Sequence, residues 1–125
     1  MTSVETNRTI LVIEDDADVR DAIAVALSID NYLVQVAASR EAALQIIASN
    51  CPAVIILDWF MPGLPIEDFI PMVRSQCANS QVVLISASYK VKEKSQELGL
   101  PYHLAKPFEI DELLKIVSTC TQAKT

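Results

Sequence analysis

Short apolar runs alternate with amphipathic stretches along the chain, and this alternation restricts the fold more than any other feature of the sequence. Ile10–Ile13 (ILVI), Tyr32–Ala37 (YLVQVA), Ala53–Leu57 (AVIIL), Gln81–Ser86 (QVVLIS) and the short His103–Ala105 (HLA) read as strands. Between the first two, Val19, Ile23, Ala26 and Leu27 recur at i, i+4, i+7 and i+8, the spacing of one helix face. Ser39 is placed to cap a second helix through Ser49, with Glu41 in its first turn and Asn50 and Pro52 to stop it. Ile66, Phe69, Ile70 and Val73 mark a third helix. Pro71 falls inside it, and an interior proline costs roughly 3 kcal/mol, so the pattern predicts a late start near Asp68 or a kink. Lys90–Leu98 offers only Val91 and Leu98 as apolar anchors, which predicts a short, loosely held fourth helix. Ile110, Leu113, Leu114 and Val117 mark the last.

Strands that read as continuous apolar runs are buried on both faces. Joined by helices, they form a parallel sheet with helices on both sides. The 125 residues suffice for one domain. No linker, repeat or low-complexity segment divides the chain, so residues 1–125 are expected to be a single domain with its core at about 8–121 and flexible ends.

The net charge of −6 disfavours direct contact with a phosphate backbone. Tyr89–Glu97 (YKVKEKSQE) is the nearest approach to a basic cluster, and its interleaved glutamates read as a solvated helix face. Cys51, Cys77 and Cys120 are scattered without a CxxC pair, which reads as lone thiols in a reducing compartment. Met1–Thr9 holds no apolar segment of a signal peptide, and no run approaches the ~20 residues of a membrane span. These features predict a soluble, cytoplasmic protein that binds neither membrane nor nucleic acid directly.

In an open parallel sheet, sites form beyond the carboxyl ends of the strands. Glu14, Asp15 and Asp16 follow the first strand, Asp58 ends the third, Ser86 ends the fourth and Lys106 follows the fifth. One such residue alone is usually a turn former or helix cap. Together they need a physical reason. Carboxylates ~5 Å apart repel by roughly 3 kcal/mol per pair at an effective dielectric near 20. A hard cation with oxygen ligands offsets that repulsion, and Mg2+ is usually held by one or two carboxylates. Lys106 adds a point charge suited to phosphate. A carboxylate can also attack phosphorus to give an aspartyl phosphate.

Ile10–Arg20 (ILVIEDDADVR), Val54–Gly63 (VIILDWFMPG), Val83–Ser88 (VLISAS) and Leu104–Phe108 (LAKPF) resemble, in order, the receiver domain of two-component response regulators. The resemblance implies a flavodoxin-like α/β fold, doubly wound, with five parallel strands in the order 2-1-3-4-5. It implies that Asp58 is the phosphoacceptor, charged by a histidine kinase or histidine phosphotransfer domain. Glu14, Asp15, Asp58 and the backbone carbonyl of Phe60 would hold Mg2+ (or Mn2+), Asp15 directly and Glu14 through water. Lys106 would contact the phosphoryl group, and Ser86 would act as the switch hydroxyl. Asp16 lies outside the matched pair and is left to cap a helix or face solvent. The chain would be a signalling phosphoacceptor rather than a turnover enzyme. It would act on a downstream partner or an attached output domain, with a homodimer through the fourth helix, fifth strand and fifth helix as a further arrangement.

Several positions depart from the family pattern. His103 holds the aromatic switch position, with Tyr102 beside it. An imidazole there would add pH sensitivity. Phe60 is bulky where many members carry a smaller or polar residue, and it is expected to screen an acyl phosphate from water. Pro65-Ile66 replaces the common Asp-Gly, and the Ser86–Lys106 stretch is short by about two residues. These departures leave open an interaction module that works without phosphorylation. A dehalogenase-like phosphatase would want a second aspartate where Phe60 stands, and a dinucleotide-binding domain would want a glycine-rich first loop, absent from Glu14–Val19.

Overall fold

All five apolar runs form strands, and the strands pair in parallel in the order β2-β1-β3-β4-β5. The computed structural model describes residues 7–122. Its elements are β1 (Thr9–Ile13), α1 (Ala17–Ile29), β2 (Leu33–Ala37), α2 (Arg40–Ser49), β3 (Val54–Asp58), α3 (Ile66–Gln76), β4 (Gln81–Ser86), α4 (Val91–Glu97), β5 (Tyr102–Ala105) and α5 (Ile110–Gln122). Flexible ends, and most of the segment read as lacking a signal peptide, lie outside the described residues. Among the described residues, no helix is long and apolar enough to cross a membrane.

Alternation along each strand splits the core in two, because successive side chains leave opposite faces of a pleated sheet. Leu11, Ile13, Ile55, Leu57 and Leu84 pack with α2 and α3 through Ala43, Ile47, Phe69 and Val73. Ile10, Val12, Val54, Ile56, Val83 and Ile85 pack with α1 and α5 through Ile23, Leu27, Leu113 and Val117. β2 lies at the sheet edge, and its Leu33 is 69% exposed.

Caps set the helix starts. The Asp16 carboxylate accepts from the N–H groups of Asp18 and Val19 and begins α1. The Ser39 hydroxyl accepts from the Ala42 N–H at 3.0 Å and begins α2. α3 corrects the expectation of a late start: it begins at Ile66 and runs through Pro71. That proline leaves one carbonyl, of Glu67, without its helical donor. Burial of Phe69, Ile70 and Val73, at about 1.5–3 kcal/mol each, outweighs the loss.

α4 is short, as expected, at seven residues. It is tied to α3 more firmly than its apolar content suggests. Lys94 pairs with Glu67 of α3 at 2.6 Å and with Glu97 of its own helix at 2.8 Å, and Arg74 of α3 donates to the carbonyls of Leu98 and Gly99. The YKVKEKSQE stretch is therefore only partly a solvated face.

The cysteines need a second correction. Cys51 and Cys77 form a disulfide, with Cα atoms 5.5 Å apart across 26 residues of sequence. The chain returns past the end of α2 at the end of α3, which brings the two together; linear spacing does not reveal such a pairing. The argument for a reducing compartment from lone thiols loses its basis. Cys120 alone is free, and burial pushes its thiol up to about 12.

Candidate functional site

Three strand ends assemble one charged cluster. β1 runs out at Ile13, and the Glu14 N–H still donates to the Ala37 carbonyl of β2, which fixes where Glu14 points. β3 ends on Asp58, whose register partner in β4 is Ile85. β5 ends at Ala105, and the Lys106 N–H donates to the Ser86 carbonyl at 2.8 Å, which brings its side chain to the same edge. Carboxylate oxygens of Glu14, Asp15 and Asp58 all lie within 4.8 Å of one another. Lys106 Nζ sits 2.7 Å from Glu14 Oε1 and 3.6 Å from Asp58 Oδ2.

The cluster is short of positive charge. Glu14 is 1% exposed and Asp58 5%. Desolvation pushes Asp58 up to about 6, and the adjacent Glu14 adds to the rise; Lys106 and the Phe60 N–H oppose it. Burial would also raise Glu14, but hydrogen bonds from Lys106 and the Asp16 N–H outweigh it and hold that carboxylate below its usual range. Desolvation works against the Lys106 charge, yet the two carboxylates hold its ammonium above the usual lysine value. One lysine serves two buried acids while Asp15 stands exposed beside them. An all-oxygen donor set of this kind and spacing fits a hard divalent cation.

A family model described as the response regulator receiver domain matches residues 10–118. The chain belongs to this family. Response regulator MprA of Mycobacterium sp. strain KMS is 35% identical over 107 residues, covering 84% of this chain and 46% of that protein. The chain thus spans about half the length of the curated relatives it matches. Among solved structures, the receiver domain of Francisella response regulator 1452 superposes with a TM-score of 0.84 at 30% identity, covering 95% of this chain and 100% of that one. A putative response regulator from Chloroflexus aurantiacus J-10-fl gives 0.83 at 30% identity, covering 92% and 98%. Receiver domains are signalling phosphoacceptors.

Within this receiver, Glu14, Asp15, Asp58 and Lys106 come together as the sequence predicts. Ser86 is fully buried, one residue past Asp58's register partner, and its Oγ accepts from the Ser88 N–H at 3.1 Å. Phe60 is 57% exposed, and its ring stacks on Trp59 with centroids 4.6 Å apart. His103 is half-buried and pairs in register with Leu84. Its neighbour Tyr102 packs against the α1/α5 side of the core. Asp16 is outside the cluster and caps α1.

Sequence reasoning missed Arg40. It opens α2, is 2% exposed, and its guanidinium donates to main-chain carbonyls of the loop that follows Asp58. A signal was present: a cation in the first turn of a helix faces the positive end of the helix dipole, where a basic side chain is disfavoured.

Proposed function

We propose that this receiver accepts a phosphoryl group on Asp58 from the phosphohistidine of a kinase or phosphotransfer domain, in the cytoplasm. One Asp58 carboxylate oxygen attacks phosphorus, the P–N bond to the imidazole breaks, and the leaving imidazole keeps the bond's electrons and takes up a proton. Asp15, Asp58 and the Phe60 carbonyl would hold Mg2+ (or Mn2+), with Glu14 acting through water. The ion would supply charge neutralisation to the equatorial oxygens and hold the acceptor in line. Lys106 Nζ, 3.6 Å from Asp58 Oδ2, would contact the arriving phosphoryl oxygens while still beside Glu14, and Ser86 would exchange its bond to the Ser88 N–H for one to the same group. His103 would occupy the switch position. The chain contributes alignment and electrostatics and does not turn over as an enzyme. Residues 1–125 would make up one receiver, with a kinase upstream and an output domain or partner protein downstream.

The observation that carries this reading is the buried Asp58 carboxylate held between Glu14 and Lys106 at a strand end. An apolar groove of about 390 Å3 beside it, lined in part by Val19, Ile23, Pro107 and Phe108, suits a helix of the phosphodonor. Acetyl phosphate with Mg2+ should give a shifted band on a phosphate-affinity gel, lost in Asp58→Asn and on chelation. A wild-type chain that never shifts, or a shift that survives Asp58→Asn, sinks the proposal.

A further inference from the structure

Arg40 is buried at a position where burial is expensive. Removing a guanidinium from water costs several kcal/mol, which a well-placed carboxylate usually offsets. Among the described residues no ion pair is formed by Arg40, and its Nε is buried without a hydrogen-bond partner. Its fork is committed instead to main-chain oxygens. Nη1 donates to Leu64 O at 2.8 Å and to Met61 O at 3.4 Å; Nη2 donates to Trp59 O at 2.6 Å and to Asp58 O at 3.2 Å. The neighbouring Glu41 accepts from the Leu64 N–H at 2.8 Å. The first turn of α2 therefore grips the loop from Asp58 to Leu64 along its length.

Arg40 passes over three carbonyls in that run, those of Phe60, Pro62 and Gly63, and Phe60's is the one nearest Asp58 in sequence. Trp59 and Met61 both aim their oxygens at Arg40, and Phe60 lies between them. Arg40 holds the carbonyls on both sides of Phe60, which constrains the peptide planes flanking the Phe60 carbonyl and leaves that oxygen outside the clamp. Among the described residues, the loop's other backbone ties are the Leu64 N–H to Glu41 and the Trp59 N–H to the Ile85 carbonyl. Pro65-Ile66 follow where a flexible glycine would allow other paths, and Pro65 provides no side-chain cap to α3.

We propose that Arg40 is a positioning residue for the acceptor loop: by clamping the Asp58, Trp59, Met61 and Leu64 carbonyls, it presents the Phe60 carbonyl to the ion beside Asp15 and Asp58. This rests on the metal reading above. Arg40 touches neither ion nor phosphoryl group; it acts through the backbone. A lysine would keep the charge but lose the planar fork that reaches several carbonyls at once.

The test is Mg2+ affinity without any phosphodonor, by calorimetry and by fluorescence of Trp59, the single tryptophan. Wild type, Arg40→Met, Arg40→Lys and the control Ile47→Ala are compared, with urea stability measured on each. Ile47 is buried in the same helix, so its truncation loosens α2 packing without touching the loop carbonyls. Arg40→Met should weaken Mg2+ about tenfold or more, the usual effect of losing a group that orients a metal ligand. Arg40→Lys should recover only part of the loss, and Ile47→Ala should stay within about twofold. Wild-type affinity in a folded Arg40→Met, or an Ile47→Ala defect as large as that of Arg40→Met, overturns the role of Arg40 and leaves the metal site standing. If Arg40→Met does not fold, Arg40→Lys decides: full wild-type affinity overturns the proposal, a severalfold loss supports it. A wild-type chain that binds no Mg2+ overturns the metal reading and the clamp with it.

Discussion

The two ends of the sheet solve opposite problems. At the amino-terminal edge the chain around the starts of β1, β3 and β4 is tied down. The Cys51–Cys77 disulfide joins the ends of α2 and α3, the Ala53 N–H donates to Thr9 O, the Gln81 N–H donates to Ala53 O, and the Ser80 hydroxyl donates to Pro52 O. At the carboxyl edge, two buried acids share one lysine and a buried guanidinium leaves its Nε unpaired. The contrast teaches where stability is stored and where it is given up. A group held in an unfavourable ionisation state at one end requires a rigid frame elsewhere.

Breaking the Lys106 pair should have the largest effect. Lys106→Met leaves Glu14 charged and buried without its partner, at a cost of about 3–5 kcal/mol. Urea unfolding at neutral pH measures it; a loss under about 1 kcal/mol would mean that the carboxyl edge is not strained. Opening the other edge comes next. Cys51→Ser, or reduction, releases a loop closed across 26 residues and should remove about 3 kcal/mol in the chain-entropy account. Mg2+ affinity should stay unchanged, since the two edges lie at opposite ends of the strands. A matching fall in Mg2+ binding would erase the distinction between them.

The third prediction has the reverse sign. Asp58 titrates near 6 when folded against a usual 3.8. Between those values the native state binds the extra proton, so Asp58's contribution to stability falls as pH rises and is lowest above about 6. Asp58→Asn should thus stabilise the metal-free protein by about 1–3 kcal/mol at pH 7.5, with the gain vanishing below about pH 4. Thermal melts across that range measure it, and a pH-independent gain would refute the burial argument. Added Mg2+ should narrow the gap, because it binds the wild type more tightly. The smallest effect on stability belongs to Phe60. Phe60→Asn, at an exposed site, should move it by no more than about 0.5 kcal/mol. If its ring screens the acyl phosphate from water, the substitution should still speed loss of the phosphoryl group severalfold; an unchanged decay rate discards the shielding role.

What the sequence made legible follows from which forces act locally. Ile10–Ile13 and Val54–Leu57 are wholly buried, so their unbroken apolar character announced the central strands. Asp58 and Lys106 stood out only jointly with Glu14, Asp15 and Ser86, because several charges gathered at consecutive strand ends repel one another without an ion or ligand to offset them. Ser39 and Asp16 were readable as caps because capping is a contact within three residues. Pro71 misled because local propensity argued against an interior proline, while Phe69 and Val73 gained more from packing than the lost bond removed. The disulfide and Arg40 depend on neighbours some twenty residues away. No local pattern encodes that proximity, although the misplaced charge at the start of α2 hinted at it.

The packing of Glu41 against Gly63 has a consequence for how this sequence can drift. Gly63 has φ +95°, and a methyl group added there would lie 2.6 Å from Glu41 Oε2. The residues at 41 and 63 are therefore chained together in mutation space. Lineages that enlarge position 63 meet a backbone strained for any side chain and oblige the Glu41 carboxylate to swing off the Leu64 N–H, so the two positions should covary among descendants of this chain even though twenty-one others separate them.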